Sequence, residues 1–493
     1  MSVYRIALFL AFVSSSVLAD LKPSTMFGDG MVLQREMPVP VWGKAAPGEQ
    51  VTVEFAGQSK SAKADTEGRW QITLDPLTAS AKGATMRIAG KTEVSFADVL
   101  VGEVWICSGQ SNMQMGYGGV PELKALLPEA QKRPIRHFAV TTFVSFEPME
   151  NCRGKWSTQP ASSAVAFGFS YYLQELLQVP VAVIQTCWGS SSIEGWMPRD
   201  MGEQLPHFGE IMKKFDTNDR EKVSRLLNDA KTHPKGAPRC WASKDNIYLR
   251  TRPNILFNAM LHPVAPLATR GLAWYQGEAN GREPEQYAVS LPAWVKRLRA
   301  HWGRDDFHFL AVMLPGFGRV FGGENRDAEF ANNFSWAWFR EAQMGVLELP
   351  HTGVANTIDL GDAKNIHPRD KEPIGKRLAL LAARDVNGQA IAAQGPTFSG
   401  MLVDGSTVVI SFSEAKGLKT SDGAAPAQFW LAGEDRKWHR ATAEIQGETV
   451  LLRAKPVSAP VAVRYAFAGF PKVNLINDAG LPVYPFRSDT WAR

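Results

Sequence analysis

The sequence predicts an α/β chain, a doubly wound parallel sheet flanked at each end by a β-rich, sandwich-like domain. Two patterns predict it. Short alternating strands separated by turn residues fill both ends of the chain, and between them apolar strand-like runs alternate with helix-length segments. A third observation says where a site belongs. Several of the central runs stop abruptly in Gly, Ser and Asn, and open α/β sheets hold their ligands beyond the carboxyl ends of the strands.

Taken in order, Arg5, the apolar run 6–13 and the small residues up to Ala19 read as a secretory signal, cleaved after Ala19. That predicts a periplasmic or secreted protein. The run is too short to span a bilayer, and no membrane span is expected elsewhere. Residues 20–97 read as the N-terminal β domain, with strands at 39–42, 51–55 and 70–74 and turns such as Ala46-Pro47-Gly48. Residues 98–392 form the α/β domain. Its strand-like runs fall at 99–106, 181–186, 271–275, 307–314 and 352–358, and helical stretches include 167–177, 286–302 and 371–384. A charged segment at about 201–254 reads as an inserted cap, or equally as a solvated pair of surface helices. The β pattern returns over 393–493.

At 493 residues the chain is long enough for two to four domains, and 45% hydrophobic with 21% charged residues is a globular composition. A net charge of +5, without a basic cluster interleaved with aromatics, excludes nucleic acid as an expected partner. Of the four cysteines, Cys107 and Cys187 end apolar runs, while Cys152 and Cys240 stand in polar surroundings and are the candidate disulfide pair. With no His-Glu-x-x-His string and no clustered Cys/His spacing, neither metal nor cofactor is expected.

The chemistry is concentrated in Gly109-Gln110-Ser111-Asn112-Met113, which follows the buried run Val104-Trp105-Ile106-Cys107. A serine hydroxyl is a poor nucleophile without a base, so a histidine must come from elsewhere. His367, in Asn365-Ile366-His367-Pro368 just ahead of a helical stretch, is the candidate, since imidazole takes and returns a proton near neutral pH. Two further strings follow strands: Trp188-Gly189-Ser190 and Trp274-Tyr275-Gln276-Gly277-Glu278.

These four motifs, in this order, resemble the serine esterases of the SGNH (GDSL-like) hydrolase superfamily, in particular the sialate O-acetylesterase-like enzymes. The segments at 27–34, 258–267, 340–343 and 474–483 extend the resemblance over nearly all of the chain after residue 19. It implies an SGNH-type sheet and an acetylated carbohydrate as substrate. Ser111 is then the nucleophile and His367 the base. SGNH enzymes commonly carry an aspartate three residues before the histidine, where this chain has Lys364. Asp362 is the preferred replacement, with Asp359, Glu278 or a backbone carbonyl as alternatives. The Ser111 N–H, the Gly189 N–H and the Gln276 amide are the expected oxyanion donors. Glu278, repulsive to an oxyanion when ionised, is expected to brace the Ser111 turn or stand in as the acid. Relatives carry Trp-Gly-Gly-Thr where this chain has Ser190. The acetylated sugar is expected to be sialic acid, with xylan or xyloglucan as the alternative, and a non-catalytic glycan-binding protein is the rival from another class. Arg282, Arg340 and Arg369 stand near site motifs and could meet a sialate carboxylate, and Trp188, Trp196 and Trp274 could stack on a sugar or pack the core.

Overall fold

The structure is a computed structural model that describes residues 20–232, 242–318 and 335–492. The first 19 residues, on which the export expectation rests, lie outside the described residues, as does Cys240. Cys152, its expected partner, is buried and has no disulfide partner among the described residues, its Sγ lying 3.5 Å from Met26 Sδ.

The fold is mixed α/β, with a central mixed sheet and additional β-rich regions. Six of the central strands are β1 (Glu93–Gly109), β2 (Ile135–Val140), β3 (Val181–Cys187), β4 (Gly271–Tyr275), β5 (His308–Val312) and β6 (Thr352–Ala355). They pair in parallel in the order β2-β3-β1-β4-β5-β6, and Gly154–Ser157 adds an antiparallel edge beside β2. β4 is buried at every residue, as are all but one of β3, which explains why these strands read as unbroken apolar runs rather than alternating ones. The chain builds β2 and β3 on one side of β1 and β4 to β6 on the other. The order therefore reverses at β1, where a parallel sheet opens a crevice.

Three helices frame this crevice or pack behind it: α1 (Ala164–Leu177), α2 (Pro284–Trp302) and α3 (Glu372–Leu381). Ser163 caps α1 by accepting from Ala166 N, and its hydroxyl also donates to Met113 O at 2.6 Å, tying the helix to the turn after β1. α1 and α3 pack closely because Gly375 meets Gly168. A Cβ on Gly375 would stand 2.7 Å from Phe169 N.

The N-terminal β region is only partly separate: Lys22–Pro23, Val39–Lys44 and Arg69–Leu74 form a three-stranded sheet of their own, while other strands of the region join the central sheet. β1 runs 17 residues, its first part pairing with Ser80–Ala89 and Val32–Gln34 and its second part with β3 and β4. The expected boundary between 97 and 98 thus lies inside a strand. Buried Glu103 fastens the two parts, accepting from Arg35 Nε at 2.7 Å and from Arg270 Nη2 at 2.9 Å. After α3 come four-stranded antiparallel sheets, one of them Thr397–Asp404, Thr407–Ser413, Thr449–Arg453 and Thr442–Gln446. Residues 201–254 carry helices at Pro206–Lys214, Arg220–Thr232 and Ser243–Arg250.

Candidate active site

Sheet register brings three of the four motifs to one level. Gly109 at the end of β1 is the Cα partner of Cys187 in β3 and of Tyr275 in β4. The loops that begin with Gln110, Trp188 and Gln276 therefore leave the sheet side by side. Gln110 N donates to Tyr275 O (3.1 Å) and Trp188 N to Gly109 O (3.0 Å), which locks them together. Gly109 is required here: its φ is +140°, and a Cβ would fall 2.1 Å from Tyr275 O.

Ser111 opens a short helix, Ser111–Gln114. His367 comes from the loop between β6 and α3, and its Nε2 stands 2.8 Å from Ser111 Oγ. With the serine as donor the ring is neutral, with its proton on Nδ1. Partial burial, and then the positive charge of Lys371, hold His367 below the ordinary imidazole range. Both effects keep it in the form that can accept a proton.

The expected acid is not at the ring. Asp362 Oδ1 accepts from Lys364 N (2.7 Å) and Asn365 N (3.0 Å), closing a turn within its own exposed loop. Asp359 is held by Arg377 in a two-point pair at 2.6 and 2.7 Å. Among the described residues His367 Nδ1 has no hydrogen-bond partner. Short polar side chains in a loop bond their own backbone two or three residues on, and Asp362 follows that rule instead of reaching the imidazole.

Gln276 also departs from expectation. It is fully buried, its Nε2 shared among Asn280 Oδ1 (2.9 Å), Ser191 O (3.2 Å) and Gln110 Oε1 (3.3 Å), and its Oε1 accepts from Tyr287. Both ends of the amide serve this network, so Gln276 braces the loops and offers nothing to an oxyanion. Gly189 does lie against Ser111, since a Cβ there would stand 3.2 Å from Ser111 Cβ, but its N–H donates to Gln114 Oε1 at 2.9 Å. Ser190 has φ +63°, the left-handed conformation that a glycine would take without strain.

Glu278 sits beneath the Ser111 turn. Its Oε1 accepts from Asn112 Nδ2, Asn112 Nδ2 also donates to Ile366 O at 2.9 Å, and Lys371 Nζ donates to Asn112 Oδ1 at 2.7 Å. Burial raises the carboxyl of Glu278 and lowers Lys371 to about 8. Asn112 carried a signal, since it stands inside the first motif, yet nothing in the sequence placed it against the histidine loop. Lys371 and Gln114 carried none.

Arg340 is buried and donates only to carbonyls: Leu314 (2.7 Å), Ala468 (2.6 Å), Gly469 (2.8 Å) and Pro315 (3.1 Å). It joins the C-terminal β region to the loop after β5 and cannot meet a substrate carboxylate. Arg282 and Arg369 are exposed. Trp188, Trp196 and Trp274 are buried, Trp196 and Trp274 edge to face at 6.0 Å, so they pack behind the site rather than stack on a sugar.

A family model described as carbohydrate esterase, sialic acid-specific acetylesterase, matches residues 101–228. The chain is similar to a mouse sialate O-acetylesterase, 26% identical over 94% of this chain and 93% of the mouse protein. A rat sialate O-acetylesterase is 28% identical, covering 79% and 78%. A solved carbohydrate acetylesterase from Xanthomonas citri is 33% identical, with TM-score 0.79 over 95% of this chain and all of that one. An esterase thus stands where the non-catalytic alternative was expected as a rival. The chain belongs to the sialate O-acetylesterase-like carbohydrate esterases and is a carboxylic ester hydrolase.

Proposed function

We propose that the protein is an exported O-acetylesterase of SGNH type that removes acetyl groups from carbohydrates with a Ser111–His367 pair. The observation that carries this is the 2.8 Å contact between Ser111 Oγ and His367 Nε2 at the crevice beside β1. Ser111 Oγ attacks the acetyl carbonyl carbon while Nε2 takes its proton. The imidazolium returns that proton to the sugar oxygen as the ester C–O bond breaks, leaving an acetyl-serine. Water, activated by the same nitrogen, then releases acetate and restores the serine. The Ser111 N–H, which has no acceptor among the described residues, supports the oxyanion. The Gly189 N–H joins it once the Gln114 amide swings aside. On this reading the acid–base pair works without a carboxylate on Nδ1, in a histidine that is only partly buried.

Sialic acid is the first substrate reading, supported by the family match. An acetylated xylan or xyloglucan is the second: the guanidinium of Arg340 is spent on backbone carbonyls, which removes one of the three candidate anchors for a sialate carboxylate and leaves Arg282 and Arg369. Acetate release from acetylated sialic acid, compared with acetylated xylan and xyloglucan, tests this. Turnover of the sialate alone would refute the hemicellulose reading, and release from none of them would refute the esterase assignment to carbohydrates. Export, to the periplasm or beyond, rests on the signal-like order of residues 1–19. Mass spectrometry of exported protein should find Asp20 at the N-terminus, and an intact first segment would overturn it.

A further inference from the structure

The residue after the nucleophile and the residue before the base are held by one side chain. Asn112 follows Ser111, Ile366 precedes His367, and Asn112 Nδ2 donates to Ile366 O at 2.9 Å. The orientation of that amide is not free. An ammonium can only donate and a carboxylate or carbonyl can only accept, so Lys371 Nζ at 2.7 Å fixes Oδ1 on its side. Glu278 Oε1 and Ile366 O fix the NH2 on the other. Asn112 is fully buried, and so is Lys371, whose ammonium also faces the Tyr275 ring at 5.2 Å. The other Glu278 oxygen, Oε2, is buried with no hydrogen-bond partner among the described residues, so the side-chain partner of the carboxyl is Asn112.

Resting on the Ser111–His367 reading, we propose that Asn112 is the positioning residue of this site. Its amide, clamped between Glu278 and Lys371, sets the separation of nucleophile and base in place of a carboxylate on the imidazole. A triad acid fixes its histidine by holding Nδ1; here the histidine loop is fixed through its backbone, one residue before the ring. Lys371 adds a second effect through space, disfavouring imidazolium. The charged groups that bear on this are Lys371 toward His367, and Glu278 from the loop after β4 and Asp370 from the histidine loop toward Lys371.

The test is the rate at which a small fluorophosphonate labels Ser111, measured against pH, together with kcat and KM on a chromogenic acetyl ester. Asn112→Asp preserves volume but cannot donate to Glu278 or Ile366. We expect it, like Asn112→Ala, to slow labelling and kcat about 100-fold with KM little changed. A space-filling role would leave Asn112→Asp near wild type. Lys371→Met should move the acid limb of the labelling profile upward by about 0.5 unit or more, because a like charge near the imidazole is removed. Wild-type labelling by Asn112→Asp overturns the clamp. Should the Asn112 variants fail to fold by circular dichroism, Lys371→Met decides: an unchanged rate and an unchanged limb overturn it. Labelling of Ser111→Ala would instead refute the nucleophile itself, so the two failures are distinguishable.

Discussion

The Ser111 turn and the His367 loop meet at one hydrogen bond, but they are held by different means. The turn is anchored by sheet register: Gly109 lies level with Cys187 and Tyr275, and backbone bonds join all three strand ends. The histidine loop has no continuous ladder, only a parallel bridge at Gly361, where Gly316 N donates to Leu360 O (2.9 Å) and Asp362 N donates to Gly316 O (3.2 Å). Past that bridge its position comes from side chains, with Asp362 closing a local turn, Arg377 holding Asp359, and Asn112 gripping Ile366 O. A motif is therefore more dependable at a strand end than in a loop. A strand end places its residues by covalent geometry and pairing, whereas a loop residue is placed by whichever partner the rest of the fold delivers.

The two anchorages are most directly challenged at their meeting point. Ser111→Ala and His367→Ala should each lower kcat by about 10⁶-fold, and the double variant should be little worse than either, because the two act as one unit. Clearly additive losses would mean that they work separately. On the sheet side, Gln276→Ala should cost about 2 kcal/mol or more of stability in urea unfolding, since it removes buried hydrogen bonds to Asn280, Tyr287 and Gln110 and leaves a cavity. Its folded fraction should keep kcat within about tenfold of wild type, whereas loss of an oxyanion donor would cost about 10² to 10³.

On the loop side, the acid limb of kcat/KM should lie below the free-histidine value of about 6.5. Burial and Lys371 both favour neutral His367, so activity persists as pH falls and is lost only on passing the depressed pKa. A limb above 6.5 would mean that an unrecognised carboxylate stabilises the imidazolium. Asp362→Asn keeps the oxygen that closes the loop turn and should change kcat less than about threefold. A true triad acid would cost about 10⁴. The smallest effect belongs to the oxyanion loop: Ser190→Gly relieves a left-handed residue and should raise stability by about 0.5 kcal/mol with unchanged kcat, read by thermal melting.

Local rules made part of this molecule readable from its residues alone. Buried parallel strands announce themselves as apolar runs, turn residues end them, and the register of such strands carries their following loops to one edge. Hence the alternating α/β pattern, the β-rich ends and the place of the Ser111 turn were legible, along with the Trp188 and Gln276 loops beside it. What those side chains touch was settled only by packing between distant segments. Gln276 and Arg340 look available in the sequence but are consumed by buried carbonyls and amides, because an unpaired polar group inside the fold is costly. Lys371 carries no motif, and it matters only because α3 packs on α1 closely enough to bring its ammonium to Asn112. The continuity of β1 across the boundary expected at 97 was likewise invisible, since the strand changes partners rather than composition when it passes from one β region into the central sheet.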